Sequence, residues 1–187
     1  MKIYYLALVV LAAFEAAAAG PARAIDHEFD LNPGEFAVLR MEHITERYPV
    51  RCELVVKERR YSHKWHPAFS LFFHAEEPAE NLVDNHFIHL SVQWKAGSDR
   101  NFFSYSTLGF EHDRSSDAGT NEDEIVVMTL ASPGDGTFRF STGSDPASVT
   151  VVHHFDFIPR YWLIEASGFE GRAKCGEAAE LIPDRYE

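Results

Sequence analysis

The fold class this sequence predicts is all-β: a single antiparallel β-sandwich, jelly-roll-like, with short helical turns. Three observations predict it. Segment after segment alternates apolar and polar residues with a period of two, as strands with one buried face do. Turn clusters such as Asn32-Pro33-Gly34 and Pro133-Gly134-Asp135-Gly136 fall between these segments, at spacings typical of sandwiches and barrels, giving roughly eight to ten strands. After the N-terminal apolar run no long helical periodicity competes, and no fixed-period repeat points to a propeller or solenoid.

In chain order, residues 25–34 are polar and end in a turn. A first strand spans 36–41, and a second spans 50–58 with Cys52, Leu54 and Val56 alternating against Arg51, Glu53 and Val55. The segment 57–67 that follows is basic and aromatic. Residues 68–75 then set Phe69, Leu71 and Phe73 against Ser70, Phe72 and His74. Acidic residues around Pro78 suit a short helix or turn over 76–84, because the first helical turn favours negative charge and tolerates proline. The clearest strand lies at 85–95. There Ile88, Leu90, Val92 and Trp94 form a core face, while Phe87, His89, Ser91 and Gln93 form a mostly polar one. Ala96-Gly97-Ser98-Asp99 turns the chain into a hairpin partner at 101–106. Residues 111–124 read as a polar, acidic loop, 125–130 as an apolar strand, and 137–141, 148–157 and 160–167 as further strands before a glycine-rich segment around Cys175.

Residues 1–24 read as a secretory signal peptide: Lys2 provides the positive start, 3–14 the apolar run, and Ala22-Arg23-Ala24 the small-x-small cleavage site. The run is shorter than the ~20 apolar residues that span a bilayer. Cleavage leaves 25–187 as one sandwich domain, periplasmic or secreted, with no membrane insertion afterwards. Its only cysteines, Cys52 and Cys175, are expected to form one disulfide in an oxidising compartment. A net charge of −12 argues against nucleic acid, whose affinity comes largely from basic contacts to phosphate.

Strand parity yields the main site expectation. His74 shares a face with Ser70 and Phe72, His89 with Phe87 and Gln93, and His154 with Thr150 and Asp156. Together His74, Phe87, His89, Gln93, His154 and Asp156 would form a polar platform with embedded rings, suited to sugars and other polar ligands. A second expectation concerns the acidic loop, where Asp113, Asp117, Asn121 and Asp123 offer hard oxygens to calcium, although the spacing is not that of an EF-hand. Ten histidines invite a transition-metal reading, but His86 and His89 fall on opposite faces of a strand. Among strand carboxylates, Glu53, Glu165 and Asp156 are candidates for glycosidase chemistry, which needs two carboxylates across a cleft; parity groups Glu165 with Tyr161 and Leu163 and suggests the inner face. The sequence contains no Gly-x-Ser-x-Gly elbow, His-Glu-x-x-His or phosphate-binding glycine loop.

The leading expectation is therefore an exported, non-enzymatic sandwich that binds a polar small molecule, a glycan or another exported protein. Alternatives are a carbohydrate-active enzyme using carboxylates and a periplasmic metal-binding protein.

Overall fold

The computed structural model describes residues 24–44, 49–77, 87–98, 100–108, 114–121, 125–131, 137–142, 150–154 and 157–177. At 40–42, 107–108, 114–121, 137–142 and 150–154 it describes the backbone alone. All but the last residue of the expected signal peptide and most of the expected turn at 76–84 lie outside the described residues.

The described residues contain twelve strands: β1 Ile25–Asp30, β2 Phe36–His43, β3 Val50–Arg59, β4 Ala68–His74, β5 Phe87–Gln93, β6 Asn101–Leu108, β7 Arg114–Asn121, β8 Ile125–Ala131, β9 Thr137–Thr142, β10 Thr150–His154, β11 Tyr161–Ser167 and β12 Phe169–Glu177. They form two six-stranded antiparallel sheets, sheet A in the order β1-β12-β3-β8-β9-β10 and sheet B in the order β2-β11-β4-β5-β6-β7. No helix occurs among the described residues. The all-β sandwich is thus the observed architecture, with three strands that the apolar pattern does not announce: β1, β7 and β12.

The core is made by the inward positions of both sheets. Sheet A contributes Phe29, Val50, Cys52, Leu54, Val126, Met128, Leu130, Phe169, Ala173 and Cys175, and sheet B contributes Phe69, Leu71, Phe73, Ile88, Leu90, Val92, Phe103, Trp162, Ile164 and Ala166. Each set alternates along its strand, so burying one residue fixes the facing of the next but one. Cys52 and Cys175 stand opposite each other in the β3–β12 register and are disulfide-bonded.

β5 lies in the interior of sheet B, between β4 and β6. Its Leu90 has no exposed surface. Replacing Leu90 with alanine removes core contacts and leaves a cavity, at an expected cost of about 2 to 5 kcal/mol. Urea unfolding checks this, and a loss under ~1 kcal/mol would contradict the burial.

Candidate functional site

Sheet B has a second face, opposite the core, whose side chains the strand registers arrange in rows. One row runs Val38, Glu165, Ser70, Ser91, Ser104 and on to the register position of Asp117. The next runs Leu163, Phe72, His89 and Ser106. A third runs His43, Tyr161, His74 and Phe87. Serine hydroxyls, imidazoles, a carboxyl and aromatic rings thus share a surface across five strands.

The rings and hydroxyls contact one another. The imidazole of His89 stacks on Phe72 with centroids 4.4 Å apart and planes 11° from parallel, and Phe87 meets Phe72 edge-on at 5.4 Å. Ser91 and Ser104 share a hydrogen bond of 2.8 Å. Ser106 Oγ lies 3.3 Å from Nδ1 of His89, whereas Nε2 of His89 is buried without a hydrogen-bond partner among the described residues. An unsatisfied buried nitrogen costs the desolvation of that group, and such atoms are uncommon enough in folded proteins to call for an explanation.

The face is not a freely solvated one. Ser91 and His74 are fully buried, while Phe72, Phe87, His89, Ser104, Ser106, Tyr161 and Glu165 are half-buried. Burial depresses both imidazoles from 6.5 to about 4, because desolvation penalises the charged form. It raises the Glu165 carboxyl above its ordinary value for the same reason. Glu165 faces this outer surface rather than the interior, since Trp162, Ile164 and Ala166 take the core positions of β11. Its expected inner placement is corrected accordingly.

Four of the expected platform residues, His74, Phe87, His89 and Gln93, lie on the outer face of sheet B by position in β4 and β5. His74 is too deeply enclosed to touch a ligand, and Gln93 is exposed at the strand end. His154 is not their neighbour: it belongs to β10, the edge strand of sheet A. Sheet membership is a long-range property that strand parity does not carry. Asp156 lies outside the described residues.

The expected acidic loop is in part a strand. β7 covers Arg114–Asn121 and pairs with β6, placing Asp117 opposite Ser104 and Asn121 opposite Asn101. Four residues of extended chain separate the two, on the order of 13 Å, instead of the loop curvature that would gather them about one ion. Asp113 and Asp123 lie outside the described residues. Among the described residues no three His, Cys, Asp or Glu side chains are grouped to hold a metal. The carboxylate pairing also separates: Glu53 is on β3 of sheet A and bonds Arg51 at 2.6 Å, whereas Glu165 is on sheet B.

Two residues absent from the parity argument border the face. Phe36, on edge strand β2 opposite Ser167, is 50% exposed, and Trp65, 49% exposed, meets it edge-to-face at 5.5 Å. Gly34, with φ of 85°, passes close beneath the indole; a Cβ there would lie 3.2 Å from it. The sequence signal was the Asn-Pro-Gly turn next to Phe36, but its contact with residue 65 is a tertiary fact.

No protein-family model matches the chain, and no curated protein matches it. Solved structures do. The fructofuranosidase of Schwanniomyces occidentalis complexed with fructose aligns over 83% of this chain with 9% identity and a TM-score of 0.51. Porphyranase B from Zobellia galactanivorans aligns over 76% of the chain and 66% of its own, with 10% identity and a TM-score of 0.45. The winged bean acidic lectin complexed with methyl-alpha-D-galactose aligns over 83% of the chain and 96% of its own, with 7% identity and a TM-score of 0.38. The chain spans about a third of the fructofuranosidase, 33% of its length. What it shares with that enzyme is a fold, the antiparallel β-sandwich.

Proposed function

We propose that this chain is an exported, non-enzymatic β-sandwich that binds an uncharged carbohydrate on the outer face of sheet B. One observation carries the reading: the stacked Phe72–His89 pair is flanked by the hydroxyls of Ser104 and Ser106 and by the Glu165 carboxyl, all half-buried on one surface. Sugars present apolar C–H faces to rings and hydroxyls to convergent polar groups, and this mixture answers both. Glu165 has no ion-pair partner among the described residues, so its oxygens are available to ligand hydroxyls. The exposed rings of Trp65 and Phe36 extend the surface at one margin. Export is supported by the N-terminal signal pattern and by the disulfide.

Native gel electrophoresis through a neutral fructan, galactan or glucan tests the reading. The wild-type chain is expected to be retarded by at least one of them. His89→Ala should weaken the interaction about tenfold or more, equivalent to ~1.4 kcal/mol, while leaving the melting temperature within a few degrees. Glu165→Gln should bind within about threefold of wild type, with no release of reducing ends by either protein. Sugar release abolished by Glu165→Gln would establish a hydrolase instead, and absence of retardation in every gel would remove the carbohydrate.

A further inference from the structure

The two pairs of rings on the outer side of sheet B stand well apart. His89 stacks on Phe72 at 4.4 Å, and Trp65 meets Phe36 at 5.5 Å. From Phe36 on β2, across β11, to Phe72 on β4 the registers count two strand spacings and four residues along the strand, a diagonal on the order of 16 Å. Glu165 occupies its midpoint: it pairs with Val38, two residues from Phe36, and with Ser70, two residues from Phe72. Ser70 and Ser167, short neighbours of Glu165 on this face, are buried, so neither rises between the two pairs of rings.

Trp65 is held in place although it is 49% exposed. The turn that carries it is closed from both ends: the Ser62 amide donates to the Trp65 carbonyl at 3.1 Å, and Ser62 Oγ accepts from the amides of Lys64 at 3.3 Å and Trp65 at 3.1 Å. Gly34 and Phe36 then seat the indole itself. At Gly34 a Cβ would crowd the pyrrole ring, and the φ of 85° is one that glycine adopts without cost. A large ring ordered in advance loses little freedom when a ligand stacks on it.

A monosaccharide stacked on Phe72 and His89 is too short to reach Trp65. We infer that the ligand of this face is an extended stretch of a linear, uncharged polysaccharide, laid diagonally across β4, β11 and β2. Phe72 with His89 and Trp65 with Phe36 are its two ring subsites, and the Glu165 carboxyl accepts hydroxyls of the sugars between them. This rests on the carbohydrate reading and specifies its ligand by length. Once one subsite is filled, the second contact is intramolecular, so affinity rises with chain length by more than either subsite gives alone.

Affinity electrophoresis through the neutral fructan, galactan and glucan gels tests this, with fructose, galactose, glucose and their linear hexasaccharides as soluble competitors. For the sugar that retards wild type, the hexasaccharide is expected to release the chain at a concentration at least about a hundredfold below that of the monosaccharide. Trp65→Ala should weaken hexasaccharide competition about tenfold and leave monosaccharide competition unchanged, whereas Trp65→Phe should keep most of the wild-type preference. A merely structural role for Trp65 would weaken both competitors together. Equal competition by the two sugars on wild type, which needs no variant to fold, overturns the inference. So does a Trp65→Ala chain that keeps the wild-type preference or loses both competitors equally, and in each of these cases the carbohydrate reading stands. Failure of all three polysaccharides to retard wild type removes both.

Discussion

Replacing Cys52 and Cys175 together with alanine is expected to lower the unfolding free energy by about 4 to 5 kcal/mol. The bond joins residues 123 apart in sequence, and cross-linking so long a loop removes much of the entropy of the unfolded chain. It also lies where the folded state gives nothing back for its loss. β3 and β12 are adjacent interior strands of sheet A, and both cysteines are fully buried in its core. Two alanines there leave a void in addition to the lost constraint. Urea unfolding of the double variant beside wild type, with and without reductant, measures the effect. A difference below ~1 kcal/mol would show that the unfolded state is already compact.

Acidification from pH 6.5 to pH 4 is expected to remove up to ~3 kcal/mol for each of His74 and His89. Both imidazoles have folded values of about 4, against 6.5 when free of the fold. Within that window the unfolded chain binds protons that the folded chain refuses, so stability falls as pH falls. The contribution is fully present above 6.5 and lost as pH drops toward 4. Glu165 acts in the opposite sense, since its raised value favours the folded state at low pH and that contribution fades as pH rises. It offsets part of the loss. Asp26, lowered chiefly by its hydrogen bond to Arg172, loses its contribution only as pH falls through the carboxylate range below. Urea midpoints from pH 7 to pH 4 check the slope, and a double His74→Phe, His89→Phe variant should flatten it. An equal slope in that variant would assign the acid sensitivity elsewhere.

The legible parts of the fold are those in which core demand reaches every second residue. Ile88, Leu90, Val92 and Trp94 alternate without exception and all four are fully buried. β7 is the opposite case. Its sequence, Arg-Ser-Ser-Asp-Ala-Gly-Thr-Asn, carries no apolar alternation because it is an edge strand whose pairing is made by its backbone. β1 is also an edge strand and contributes little more than Phe29 to the core. β12 hides for another reason: its inward positions include the small residues Gly171 and Ala173, and at Gly171 β3 lies so close that a Cβ would meet the Val55 carbonyl oxygen. Parity grouped Glu165 correctly with Tyr161 and Leu163, but the choice between faces depended on which set the core accepted, and Trp162 decided it. For the candidate site, the polar face of β4 and β5 was legible, whereas the sheet membership of His154 and the meeting of Phe36 with Trp65 depend on contacts far apart in sequence.

The pairing of β1 with β12 also sets an order of events. The first strand of the sandwich finds its only described neighbour in the last, with Ile25 opposite Cys175 and Asp30 opposite Glu170. β3 likewise waits for β12 to fill its side of sheet A. Sheet A therefore cannot close until nearly the whole chain has emerged, and contacts this distant along the chain make for slow folding. The topology itself keeps the sandwich open, and holds Cys52 apart from Cys175, until the final strand arrives.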